Sequence, residues 1–113
     1  KHPSHGDLST VKKSTAISRS IRNLLSTQAN ERLFQPEMDS GIGILLFENF
    51  SKLTSSRLEK TIKYTIEKYE PRARIANITV KAKEDENAYE IIIVYLPDND
   101  IQETTLEVYL QRT

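Results

Sequence analysis

Up to residue 70 the apolar residues of this chain recur at helical spacing, and beyond it they alternate as in strands. Over 15–27, Ile17, Ile21, Leu24 and Leu25 fall at i, i+4, i+7 and i+8, which predicts an amphipathic helix capped by Ser14 or Thr15. Arg19 and Arg22 lie off that stripe and read as a solvated face. Over 32–50, Pro36 breaks the chain and Gly41 and Gly43 loosen it, while Ile42, Leu45, Leu46 and Phe50 keep helical spacing, so a short helix is expected. The clearest helix is 56–70. Ser56 and Glu59 form a capping box, and Leu58, Ile62, Ile66 and Tyr69 form its buried stripe. Pro71 ends it, having no N–H to donate and disfavouring helical geometry at Glu70.

Three strands are predicted next. In 75–83, Ile78, Val80 and Ala82 alternate with polar residues; 89–96 is apolar on both faces, as a central strand covered on both sides would be; in 104–110, Leu106, Val108 and Leu110 alternate. The polar run 83–88 and the Pro-Asp-Asn-Asp run 97–100 are turns, and such short connections favour an antiparallel meander. The fold class is α+β, with N-terminal helices packed on a small antiparallel β-meander. Residues 1–13 show no sustained apolar period and read as a flexible N-terminal arm, leaving 14–113 as a single domain.

Composition narrows the function. A chain of 113 residues fits one core. Its net charge of zero argues against a dedicated nucleic-acid or anionic-membrane binder. The charge is nevertheless divided: residues 57–74 carry +3 and residues 75–113 carry −5, a basic helical part and an acidic strand part. No cysteine is present, which removes disulfides and thiol nucleophiles and suits a reducing compartment. The longest apolar run, Ile91 to Leu96, is too short to cross a bilayer, and no signal-peptide pattern opens the sequence, whose first residue is Lys1.

Catalytic chemistry finds little to stand on. The only histidines, His2 and His5, lie in the arm, and His-x-x-His without further ligands reads as incidental, so no metal site is expected. The Gly41–Gly43 pair lacks the rest of any phosphate-binding loop. Carboxylates remain: Glu37, Asp39, Glu48 and Glu70. Two carboxylates hydrolyse a glycosidic bond when one is held protonated and the other ionised, but such pairs are common in soluble proteins. By composition alone, Glu70-Pro71-Arg72 is a helix stop.

The order of motifs changes that. Arg-Ser-Ile-Arg-Asn-Leu-Leu (19–25) is followed by Arg-Leu-Phe-Gln-Pro-Glu (32–37), Leu-Phe-Glu-Asn (46–49), Leu-Thr (53–54) opening a long helix, and Tyr-Glu-Pro-Arg (69–72) closing it. Over roughly 15–112 this resembles the baseplate wedge family of contractile injection machines. That family includes the small wedge subunit of contractile phage tails and TssE of type VI secretion. Met38-Asp39 stands where the family tends to have Phe-Gly, and Asn49 where Pro is common; both bear on the turns of the middle segment.

The resemblance implies a structural role and no cofactor. It implies that Glu70, Pro71 and Arg72 contact other wedge subunits, and that the sheet templates the first ring of sheath protein. The candidate edge is the last strand, with Thr105, Leu106, Glu107, Val108 and Tyr109. The chain would then be part of a large hetero-oligomer without nucleic acid or membrane insertion, cytoplasmic in an assembled baseplate, or in the virion tail if phage-derived. Some family members have been labelled lysozyme-like, so the alternative is a glycoside hydrolase acting on peptidoglycan. A generic interaction module is the third reading.

Overall fold

The computed structural model describes residues 4–30, 41–46, 48–97 and 101–111. Helices come first: α1 (Ser4–Asn30), α2 (Ile42–Leu45) and α3 (Lys52–Tyr69). Strands follow: β1 (Ala73–Lys83), β2 (Ala88–Pro97) and β3 (Thr104–Gln111), with a short 3-10 turn over Glu84–Glu86. The strands pair antiparallel in the order β1-β2-β3, so the α+β architecture and its meander are as the sequence predicts.

The core forms where the helical stripes meet one face of the sheet. That face carries Ile78 of β1, Tyr89, Ile91, Ile93 and Tyr95 of β2, and Leu106, Val108 and Leu110 of β3. Against it pack Ile17, Ile21 and Leu25 of α1, Ile42 of α2, and Leu58, Ile62 and Ile66 of α3. Each fully buried Ile or Leu contributes about 1.5–3 kcal/mol, enough to hold helices whose other faces are charged. The opposite face of β2 presents Ile92, Val94 and Leu96 half-buried, beside exposed Thr105, Glu107 and Tyr109. A central strand covered on both sides was expected; within the described residues, cover is complete on one side only.

The starts of α1, α3 and β1 depart from expectation, and α1 also runs past 27 to Asn30. α1 starts at Ser4, so Ser14 and Thr15 are interior residues rather than caps, and the backbone of 4–13, expected as a flexible arm, continues the helix. Once a first turn exists, each further residue is ordered at the gain of one hydrogen bond, so the helix extends without an apolar stripe. α3 starts at Lys52, not at 56. Ser51 is extended and its Oγ accepts from the Thr54 N–H at 3.0 Å, while the Thr54 hydroxyl donates to the Asn49 carbonyl at 3.1 Å. The Ser51 cap takes the place expected of Ser56, which lies with Glu59 inside the helix. Tyr69, placed in the buried stripe by its spacing, is 37% exposed; Thr65 is buried instead and donates its hydroxyl to the Thr61 carbonyl.

β1 begins two residues early, at Ala73, because the chain turns at once. The Ala73 N–H donates to the Glu70 carbonyl at 3.1 Å, closing a four-residue turn with Pro71 in its second position, where proline's fixed φ is favoured. At the other end of β1, Asn87 adopts the left-handed region (φ 53°), which Asn tolerates better than most residues. The Gln111 side chain donates to the Glu86 carbonyl there, tying the end of β3 to the first hairpin.

Candidate functional site

The Glu70-Pro71-Arg72 turn joins α3 to β1 and has two layers. Glu70 points inward and is 5% exposed. Its Oε2 accepts from Arg72 Nε at 2.6 Å, its Oε1 accepts from Arg72 Nη2 at 3.2 Å, and Oε1 also accepts from the Ser20 hydroxyl of α1. The Arg72 hydrogen bond is the main cause holding the Glu70 carboxyl below its usual range, against the upward push of burial, with Ser20 assisting. Arg72 is raised in turn by Glu70. Pro71 is exposed, and half of the Arg72 side chain remains open to solvent.

From the sequence, both Glu70 and Arg72 are expected to project from the corner, Glu70 either orienting Arg72 or taking a partner's cation; in the structure only Arg72 projects into solvent. Glu70 orients it: both carboxylate oxygens are engaged within the chain, so Glu70 is not poised to receive a partner's cation. A Glu70 carboxyl held below its usual range does not suit the protonated acid of glycoside hydrolysis, and its two oxygens are already engaged by Arg72 and Ser20. Of the other carboxylates weighed for that chemistry, Glu48 is exposed and Glu37 and Asp39 lie outside the described residues. Among the described residues, no group of three or more His, Asp or Glu is arranged to hold a metal ion, and no helix is long and apolar enough to cross a membrane.

The second candidate region is the edge strand β3. Leu106 and Val108 are core residues, whereas Thr105, Glu107 and Tyr109 are exposed. α1 runs beside this strand. Tyr95 of β2 donates its hydroxyl hydrogen to the Ser14 carbonyl at 2.9 Å, so the Ser18 hydroxyl, 2.6 Å away, is the donor in their contact. Burial pushes the Tyr95 hydroxyl pKa up, partly offset by Ser18. One turn further along α1, Arg22 Nη1 donates to the Glu107 carbonyl at 2.7 Å. An open groove of about 350 Å³ lies between α1 and the start of β3, lined by Ser14, Thr15, Ser18, Arg19, Arg22 and Thr104.

Ser18, Ser20, Arg22 and Tyr95 were not singled out by sequence reasoning as a polar contact zone. The available signal was the row Ser14, Ser18 and Arg22, spaced i, i+4, i+8 beside the apolar stripe of Ile17 and Ile21.

Comparison with known proteins agrees with the motif order. The family model for the baseplate wedge protein gp25 matches residues 11–100. The baseplate wedge protein gp25 of Enterobacteria phage T4 is 33% identical over 57 residues, which is 50% of this chain and 43% of that protein. The chain therefore matches less than half the length of that relative. A crystal structure from Geobacter sulfurreducens, named provisionally a tail lysozyme, superposes with a TM-score of 0.74 at 25% identity, covering 88% of this chain and 91% of the other.

Proposed function

The chain belongs to the gp25 baseplate wedge family, and from that premise we propose that it is a structural, non-enzymatic baseplate subunit joining wedge partners to sheath. The Glu70-Pro71-Arg72 turn meets other wedge subunits, and the edge of β3 templates the first sheath ring. The observation that carries the wedge contact is the half-exposed Arg72 held in one orientation by a buried, ionised Glu70. A guanidinium fixed in this way spends little further conformational freedom when it pairs with a partner carboxylate. For the sheath contact, a strand at the end of a sheet offers backbone groups to an added strand. In a phage such a subunit belongs to the virion tail; in a secretion system it belongs to the baseplate on the cytoplasmic side.

The test is a side-by-side pull-down from the native source with wild type and Arg72→Ala, read by mass spectrometry. Wedge subunits are expected with wild type and lost with the variant, whose thermal unfolding should confirm that it is folded. Equal retention by both would remove Arg72 from the contact. Glu107→Pro is expected to stop sheath polymerisation on the assembled baseplate while leaving the wedge contact intact. Normal sheath growth on that variant would exclude β3 as the template.

The name of the Geobacter structure keeps a peptidoglycan hydrolase as the second reading. It requires turnover of cell-wall substrate above a Glu37→Gln/Glu70→Gln control, and no such excess would end it.

A further inference from the structure

Arg22 does not behave as a free surface cation. Its Nη1 reaches from α1 to the Glu107 backbone carbonyl at 2.7 Å, a contact between residues 85 positions apart. Glu107 stands opposite Ile92 in the β2–β3 ladder. In an antiparallel pair, residues alternate between those exchanging both backbone bonds with the opposite strand and those turning N–H and C=O away. A carbonyl taken by a side chain from a neighbouring helix is of the second kind. The N–H of Glu107 then also faces outward, as do the backbone groups of Thr105 and Tyr109, which share its parity.

The two edges of the sheet are protected differently. β1 has a register slip between Ile75 and Asn77 and carries exposed Lys81, and a bulge and an edge lysine both deter strand addition. β3 runs in unbroken register along β2, and its sequence, Thr-Thr-Leu-Glu-Val-Tyr-Leu-Gln, contains no Lys, Arg or Pro. The basic group found bonded to this edge comes from α1.

We infer that Arg22 is a displaceable guard on the outer edge of β3. In the unassembled chain it occupies the Glu107 carbonyl. An extended segment docks by supplying a backbone N–H to that carbonyl in its place, while the guanidinium passes to water or to an acidic side chain. This rests on the reading of β3 as a strand-accepting edge and adds how the edge is kept from pairing wrongly. One hydrogen bond replaces another, so the exchange itself is close to neutral and the remaining contacts of the incoming strand decide the outcome. The least welcome occupant is a second copy. Two β3 edges pairing must displace two arginines and bring two guanidinium groups together, whereas a partner strand without such an arginine displaces one.

The experiment compares the full chain as wild type, Arg22→Met and Arg22→Met/Glu107→Pro by sedimentation equilibrium over a concentration series. Arg22→Met keeps the aliphatic stem and removes the donors. Circular dichroism and thermal unfolding first establish that each variant is folded. The expected result is a self-association constant for Arg22→Met tightened by about tenfold or more over wild type, as the loss of one competing hydrogen bond per copy allows. The second variant is expected to return to the wild-type value, with amide exchange at Glu107 slowed in the Arg22→Met dimer alone. Unchanged association of a folded Arg22→Met overturns the inference, as does association that survives Glu107→Pro. Sheath polymerisation on Glu107→Pro with Arg22 intact separates this from the parent reading. If sheath fails to form there while Arg22→Met stays monomeric, the template stands and the guard falls. If sheath forms normally while Arg22→Met dimerises through β3, the guard stands and sheath is not the strand it admits.

Discussion

A carboxylate at 5% exposure remains ionised only if donors replace the water it has lost. Glu70 has Arg72 Nε, Arg72 Nη2 and the Ser20 hydroxyl. Its folded pKa is thereby lowered from 4.5. A lowered folded pKa means the native state holds the charged form more tightly than the unfolded chain does. The resulting stability is fully present above the unfolded value and is lost as pH falls through the lowered folded one. Glu70→Gln is therefore expected to be about 1–3 kcal/mol less stable than wild type at neutral pH. That gap should narrow as the solution is acidified below 4.5. Urea unfolding across a pH series measures it, and a gap independent of pH would mean that the carboxylate charge contributes nothing. The triplet itself left Glu70 open to two roles, orienting Arg72 or taking a partner's cation, and its burial was not legible there. The inward turn of Glu70 depends on Ser20, 50 positions earlier, and on a turn that folds Arg72 back over it.

Where α3 begins is a question of which serine caps it. The stretch 51–59 contains two serines with a hydrogen-bonding residue three positions on, Ser51 with Thr54 and Ser56 with Glu59. Local pattern favours the second, because glutamate at that position completes the familiar capping box. Tertiary structure selects the first: Thr54 is 3% exposed and bonds both Ser51 and Asn49, so the earlier pair also seals the entry to the helix. Ser51→Ala should accordingly lower the unfolding midpoint, at about 1 kcal/mol, whereas Ser56→Ala should lie within about 0.5 kcal/mol of wild type. Equal losses from both would reinstate the later cap. The stripe of Leu58, Ile62 and Ile66 was readable because period alone fixes it. Likewise Leu106, Val108 and Leu110 announced β3 by alternation, but neither pattern contains the Arg22 contact that changes what the edge of β3 can do.

Seen as one body, the molecule closes its N-terminal helix onto its last strand. Ser14 and Ser18 meet Tyr95, Arg22 meets Glu107, and Ile17, Ile21 and Leu25 share a core with Leu106 and Val108. Such closure should make helix and sheet melt together. Ile21→Ala, which leaves a void in the shared core, is expected to cost about 2–5 kcal/mol and to shift the far-ultraviolet helix signal and the tyrosine fluorescence by the same amount. Two separate transitions would mean that α1 is only loosely attached. Sequence reading captured the class and the meander but not this closure, since 89–96 is apolar on both faces and gave no sign which one α1 would choose.

The closure of α1 onto β2 and β3 has a consequence for how the chain is made. The ribosome delivers Ser18 before Tyr95 by 77 residues, a wait of roughly 4–15 s at about 5–20 residues per second. Through that interval the first helix exists without the surface it is shaped to meet, its Ile17, Ile21 and Leu25 stripe bare. An element made well before its partners is thus among the later ones to find its place, and it must be kept from other apolar surfaces, by a chaperone or by speed, until β2 and β3 emerge.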